Sequence, residues 1–347
     1  MSGDVPAVAE DLQRRFTSVR SRTDRLTAPL SAEDQMVQSM PDTSPTKWHR
    51  AHTTWFFAEF VLGADGTSGR VWDRPEYRFL YNSYYDAVGA RHPRPERGLV
   101  TRPSIDEVAD YRAPVDAAIG ELLAAGIGPE LADVLVLGTH HEEQHQELLL
   151  LDIKHVLSMN PAIGPAYADV AVAAAADPGP MGWVEVGGGL VEVGHGRCDT
   201  GTVAGFAFDN EGPRHEVRLY DYALADRLVT AGVWLAFVED GGYLRPELWK
   251  SDGWARVQSE GWDAPLFWRR HPEDPVRWWI HSLTGLRELD LHEPVVHVSH
   301  YEADAFATWS GARLPTEFEW EHSAAQRAIE GVLLDDQDPA LSCHPRA

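Results

Sequence analysis

The chain has 347 residues, enough for two domains, and its 44% hydrophobic content excludes a disordered or fibrous protein. Thirty Lys and Arg against 54 Asp and Glu give a formal net charge of −24, which opposes binding to nucleic acid. Its two cysteines cannot form a disulfide framework. The sequence has no apolar run long enough to span a membrane and no apolar secretion core at its N-terminus, so we expect a cytoplasmic protein with no membrane partner.

The first 160 residues carry the patterns of four helices with one long connection, which predicts a helical bundle. An amphipathic stretch covers residues 8–30. The second helix is predicted to start with Ser44 as its cap and Pro45 in its first turn, where no amide hydrogen is needed. The third and fourth helices are predicted at residues 104–124 and 129–157.

The second half of the chain has a different pattern. Residues 161–180 are rich in Ala, Pro and Gly, as expected for a linker. Beyond them, short β-like runs such as WVEVGGGLVEVG are broken by Gly, Pro, Asp and Asn, which predicts an irregular α+β domain. We therefore expect a bundle domain at residues 1–160 and a second domain at residues 181–347.

The strongest chemical signal is THHEEQHQELLLLD in the fourth helix. His141 and His145 are four residues apart and share one helix face, close enough to bind one metal ion. This stripe should face the bundle interior and also includes Val134, Gly138, Leu148 and Asp152. His52 lies on the inner face of the second helix, and three neutral imidazoles on two helices predict a catalytic metal site with open coordination positions. By geometry alone, His49 is an alternative to His52.

The same residues also match HExxH, the zinc metallopeptidase pattern, with Glu142 as the general base. Two observations weaken this alternative. The position six residues after His145 is Leu151, not a third histidine, and no glutamate lies between Glu147 and Glu185 to serve as a distant ligand.

Several segments together resemble a known family. SPTKWHRAHTTWFFAEFVL at 44–62, YNSYY at 81–85 and HHEEQHQE at 140–147 resemble the DinB-like bundle of ergothioneine-biosynthetic sulfoxide synthases. Residues 294–325, PVVHVSHYEADAFATWSGARLPTEFEWEHSAA, resemble the formylglycine-generating-enzyme-like domain, which has a C-type-lectin-like α+β fold. The order of the two domains is that of the synthases, and their joint occurrence is more specific than either motif.

The resemblance implies a non-haem Fe(II) enzyme that uses dioxygen to join hercynine to a thiol, either cysteine or γ-glutamylcysteine, as a sulfoxide. The iron ligands that it implies are His52, His141 and His145. Gln144, next to the last ligand, is the implied contact to the imidazole of hercynine, although a hydrogen bond within the helix is an alternative.

Tyr84 and Tyr85 resemble adjacent tyrosines that part of the family places at the iron. A phenol in that position can donate a proton during the oxygen chemistry and steer it towards sulfoxide formation. An aromatic packing pair is the alternative. Nearby arginines are candidate carboxylate clamps or solvated charges: Arg91, Arg94, Arg97 and Arg102.

After Ala325 the chain matches nothing that we can identify. The segments that usually complete the second domain, a GxVWEW-like run and an RGGS-like strand, are not found, so we expect an incomplete domain. A metal-binding scaffold or pseudoenzyme without turnover is therefore the second hypothesis.

Overall fold

The computed structural model describes residues 5–63, 70–160, 164–167, 174–196, 206–325 and 327–328, with side chains from residue 9 onwards. The predicted linker and the tail after Ala325 lie partly outside these ranges. The described residues form two compact units, one within Met1–Ala166 and Arg197–Phe208 and the other within Tyr167–Gly196 and Asp209–Ala347.

The first unit is a helical bundle, which confirms the predicted fold. Its helices are α1 (Val5–Thr27), α2 (Thr46–Phe56), α3 (Pro75–Tyr81), α4 (Ile105–Ala125) and α5 (Pro129–Ser158). A π-helical turn continues α2, and two short 3₁₀ turns lie in the connections: Phe57–Val61, Asp34–Met36 and Arg94–Leu99. Among the helices in the described part of the chain, none is both long and apolar enough to cross a membrane.

The helix starts follow from local hydrogen bonding. Ser104 caps α4 in a reciprocal pair with Glu107, in which each side chain accepts a hydrogen bond from the backbone of the other. The prediction for α2 was wrong in one detail. Pro45, not Ser44, occupies the cap position, and the Ser44 hydroxyl accepts a hydrogen bond from Arg97 instead.

Close packing brings α5 against α2 and its π-helical turn. Gly138 makes this possible, because a Cβ atom at this position would lie 2.6 Å from a ring carbon of Phe57 and 2.9 Å from one of Phe56. The surrounding core is aromatic and aliphatic, with Trp55, Phe57 and Leu135 all at most 2% exposed. The close approach sets the face of α5 that carries His141 beside the inner face of α2.

The second unit is α+β, as predicted. Its helices are α6 (Ala231–Glu239), α7 (Ser251–Glu260), α8 (His300–Trp309) and α9 (Glu317–Ala324). Its strands are β1 (Trp183–Val186), β2 (Gly189–Val193), β3 (His215–Leu219), β4 (Tyr222–Ala225), β5 (Trp268–Arg270), β6 (Trp278–Ser282) and β7 (Gly285–Glu288). Short 3₁₀ turns lie at Asp209–Glu211, Gly242–Leu244 and Pro246–Leu248.

The strands of this unit form three small antiparallel sheets. β1 pairs with β4 and β2 with β3, while β5, β6 and β7 form a three-stranded meander. The register pairs Trp183 with Ala225 and Gly189 with Leu219. A separate core forms around Trp234, Phe237 and Ile280, each at most 3% exposed.

Candidate metal centre

Three histidine side chains converge inside the first unit. His52 comes from α2, and His141 and His145 come from α5; one ring nitrogen of each lies within 4.8 Å of the others. Nε2 of His52 is 3.1 Å from Nε2 of His141. Two nitrogens about 2.1 Å from one ion and at right angles would be about 3 Å apart, so this separation suits a shared metal ion. Within the described residues, no other cluster of His, Cys, Asp or Glu has this geometry.

The ring of His52 is fixed on three sides. It stacks on Trp48 with centroids 4.5 Å apart, and Trp55 stacks at 5.7 Å. Nδ1 of His52 donates a hydrogen bond to the carbonyl oxygen of Tyr81 at 2.5 Å. Because a neutral imidazole carries one N–H, Nε2 is left with a lone pair that points towards the other histidines.

His145 has a partner outside the cluster. Its Nδ1 lies 2.8 Å from Nδ1 of His49, and Nε2 of His49 lies 3.0 Å from Oδ2 of Asp152. The same carboxylate oxygen accepts a hydrogen bond from the backbone N–H of Ser44 at 2.8 Å. Asp152 therefore connects α5 to the start of α2.

The electrostatic environment keeps the three imidazoles neutral. Burial lowers the pKa of His52 and His145 well below the usual value for histidine and lowers that of His141 to about 4. His52 is only 1% exposed, whereas His141 and His145 are partly exposed. Neutral imidazole is the form that binds transition metals such as iron, zinc and copper.

Nε2 of His52 faces Nε2 of His141, so the lone pairs of these two neutral rings point towards each other. Nδ1 of His141 is buried and has no hydrogen-bond partner in the described structure. Three neutral acceptors that point towards one another repel unless a proton or a cation lies between them. The donor set therefore fits a divalent transition-metal ion. That the three histidines act as its ligands is a prediction.

Glu142 follows His141 in the chain, but it belongs to a different cluster. Its Oε2 accepts a hydrogen bond from Arg20 at 2.9 Å, and its Oε1 accepts one from Arg112 at 3.0 Å. The Thr23 hydroxyl donates to Oε1 at 2.6 Å. Burial alone would raise the pKa of Glu142, but the two arginines outweigh burial and hold this pKa at about 2. Such a carboxylate is a poor general base, which argues against the peptidase alternative.

The two candidate tyrosines have different surroundings. Tyr84 is 71% exposed, and its hydroxyl accepts a hydrogen bond from Arg94 at 3.2 Å. Tyr85 is half-buried, and its ring lies 4.9 Å from that of Phe60 and 6.1 Å from that of Phe56. The Phe56 ring in turn lies 4.8 Å from that of His141. One aromatic ring therefore separates Tyr85 from the histidine cluster.

The other predicted residues differ in burial and in their contacts. Gln144 is exposed on α5 next to His145. Arg97 is buried, with its guanidinium carbon 3.4 Å from the centre of the Trp48 ring. Arg91 forms an exposed ion pair with Asp86, and Arg102 is exposed.

Sequence reasoning missed the residues that orient the cluster. The sequence could not indicate the Tyr81 carbonyl as a hydrogen-bond acceptor, because every residue has a backbone carbonyl. Asp152 did give one, since it shares the stripe of His141 and His145 along α5. Its partner His49 was considered only as a ligand.

Comparison with known proteins assigns both halves of the chain. Residues 15–149 match the DinB superfamily, and residues 173–335 match the sulfatase-modifying factor enzyme 1-like domain. A hercynine oxygenase of Mycolicibacterium smegmatis is 33% identical over 93% of this chain and 71% of the relative. One from Mycobacterium tuberculosis is 33% identical over 91% of this chain and 70% of the relative. The formylglycine-generating enzyme of Streptomyces coelicolor is 32% identical over 46% of this chain and 54% of the relative.

Proposed function

The chain belongs to the hercynine oxygenase family, and on this basis we propose that it joins hercynine to a thiol, cysteine or γ-glutamylcysteine, as a sulfoxide. The reaction breaks one C–H bond of the hercynine imidazole and the S–H bond of the thiol. It forms a C–S bond and an S–O bond, reduces one dioxygen molecule and releases one water molecule. The proposed place of this reaction is ergothioneine biosynthesis.

The observation that carries the proposal is the convergence of three neutral imidazoles on two packed helices. His52, His141 and His145 would hold Fe(II), which would supply the activation of dioxygen. Trp48, Trp55 and the Tyr81 carbonyl orient His52 and limit the access of water on its side. His141 and His145 are partly exposed, which is consistent with substrate access from their side.

We assign the proton-donating role to Tyr85 in preference to Tyr84. Tyr85 is half-buried one aromatic ring from His141, whereas the Tyr84 hydroxyl is exposed and accepts a hydrogen bond from Arg94. Burial raises the pKa of Tyr85, so its phenol keeps its proton at neutral pH and can donate it. Gln144, solvent-accessible beside His145, is the proposed contact for the hercynine imidazole.

The test is an anaerobic titration with Fe(II), followed by addition of dioxygen, hercynine and one of the two thiols. We expect a sulfoxide that requires iron, oxygen and both substrates, detected by mass spectrometry. Tight iron binding without consumption of hercynine would contradict catalysis and support the scaffold hypothesis. Absence of iron binding would contradict the metal site itself.

A further inference from the structure

A hydrogen-bonded series of three side chains includes one member of the histidine cluster. Asp152 and His145 lie seven residues apart on α5, and His49 on α2 bridges them with contacts of 3.0 Å and 2.8 Å. All three side chains are buried or partly buried. The Ser44 backbone N–H also donates to Oδ2 of Asp152, so the carboxylate is fixed at both helices.

The hydrogen-bond donors among Asp152, His49 and His145 determine which ring nitrogens carry hydrogens. An ionised carboxylate only accepts hydrogen bonds, so Nε2 of His49 carries a hydrogen and donates it to Asp152. With its hydrogen on Nε2, the His49 ring can accept at Nδ1 a hydrogen bond from Nδ1–H of His145, 2.8 Å away. The lone pair of His145 is therefore on Nε2, the nitrogen that His49 does not contact.

We propose that His49 and Asp152 are positioning residues that fix the tautomer and ring orientation of His145 for metal binding. Metal-ligating histidines usually donate their second N–H to such a partner, and loss of the partner weakens metal binding. His52 has an equivalent partner in the Tyr81 carbonyl. The inference rests on the proposed metal site, but the tautomer can be measured without any metal.

The first test is nuclear magnetic resonance of metal-free protein labelled with ¹⁵N in its histidines. We expect His145 in the Nδ1–H form in the wild-type protein and a shift towards the Nε2–H form in His49→Phe. Finding His145 in the Nε2–H form in the wild-type protein would overturn the inference, and this measurement does not depend on whether any variant folds.

The second test measures the affinity for Co(II) as a spectroscopic probe. His49→Phe should bind about 10- to 100-fold more weakly, the usual effect of losing an outer-shell partner. His49→Gln should retain most of the affinity, because its amide offers an acceptor to His145 and a donor to Asp152. The control is His92→Phe, a partly exposed ring outside α2 and α5 that contacts Phe79 and the carbonyl oxygen of Pro93, and we expect no change.

The outcomes separate the two proposals. Equal affinities of His49→Phe and the wild-type protein, or an equal loss in His92→Phe, would overturn the positioning role. A wild-type protein that binds no Co(II) would count against the metal site, and the tautomer measurement would still decide the role of His49.

Discussion

Helix α5 carries two buried polar clusters on neighbouring faces, and they differ in the source of their hydrogen-bond partners. The first is centred on Glu142, which is completely buried and accepts hydrogen bonds from Arg20, Arg112 and Thr23. Arg20 also donates to Asp116 at 2.7 Å. In this cluster the protein itself compensates the buried charge, as buried ion pairs require.

The second cluster, around His141 and His145, is compensated differently. The outer nitrogens of His145 and His52 contact His49 and the Tyr81 carbonyl, whereas Nε2 of His52 and Nε2 of His141 face each other. Adjacent residues of one HExxH match therefore serve different purposes. The Glu142 cluster pairs its charges within the protein, whereas converging lone pairs form a donor set that fits a metal cation.

The largest expected effect is on metal binding. His141→Gln keeps a side chain of similar volume but removes an inner nitrogen. We expect the affinity for Fe(II) to fall by more than about 100-fold and turnover to be lost. A loss of about 100-fold is the largest usual effect of removing a residue that contacts a metal ligand but not the metal. The neighbouring His140, which contacts Arg15, supplies the control, and His140→Gln should bind iron like the wild-type protein. Undiminished iron content in His141→Gln would break the distinction between the clusters.

The Glu142 cluster should respond in stability. Glu142→Gln leaves Arg20 and Arg112 without their buried counter-charge, which should reduce the free energy of unfolding by about 3–5 kcal/mol. Urea unfolding of metal-free protein measures this value. The control is Glu147→Gln at an exposed position of the same helix, where we expect a change within about 0.5 kcal/mol. Similar losses in both variants would mean that the buried ion pairs have no special role.

A smaller effect is expected at Tyr85, near the histidine cluster. Tyr85→Phe keeps the ring packing against Phe60 and Phe56 but removes the proton donor. The ratio of sulfoxide to sulfinic acid should fall by about tenfold, while iron binding is preserved. This loss is smaller than the roughly 100-fold or greater rate effect that a general acid usually contributes. Tyr84→Phe serves as the control and should leave the ratio unchanged. If both variants give the wild-type ratio, the tyrosines only pack.

The smallest effect concerns the pH dependence of the Glu142 cluster. The folded-state pKa of Glu142, about 2, lies below the value of about 4.3 for an unfolded glutamate. A lowered carboxyl pKa stabilises the fold fully above the unfolded value, and this contribution is lost as pH falls towards the folded value. The stability difference between the wild-type protein and Glu142→Gln should therefore shrink below about pH 4. Unfolding free energies of the metal-free proteins between about pH 6 and 3 test this, and a difference that grows with acidity would contradict it.

The sequence predicted those features that depend on local patterns. The capping pair of Ser104 and Glu107 and the four-residue spacing of His141 and His145 follow from helix geometry alone. The inner face of the second helix led to the expectation that His52 approaches them, and the structure brings the three rings together. The antiparallel pairings of the second unit were not predicted, because the strands are only three to five residues long, and β1–β4 and β2–β3 pair across long connections.

Long-range partners were also not predictable. Arg20 and Arg112 reach Glu142 from helices far apart in the chain, and no sequence period links them. Ser44 was expected to cap α2 but accepts a hydrogen bond from Arg97, since the folded loop brings a stronger donor to it. Such contacts depend on how the helices pack.

X-ray absorption spectroscopy of the Fe(II)-loaded wild-type protein is the most direct test of the central claim, that the histidine cluster of α2 and α5 holds the metal while the Glu142 cluster does not. We predict three imidazole rings bound to the iron and no carboxylate from Glu142. A first shell with fewer than three imidazoles, or one that changes in Glu142→Gln, would contradict it.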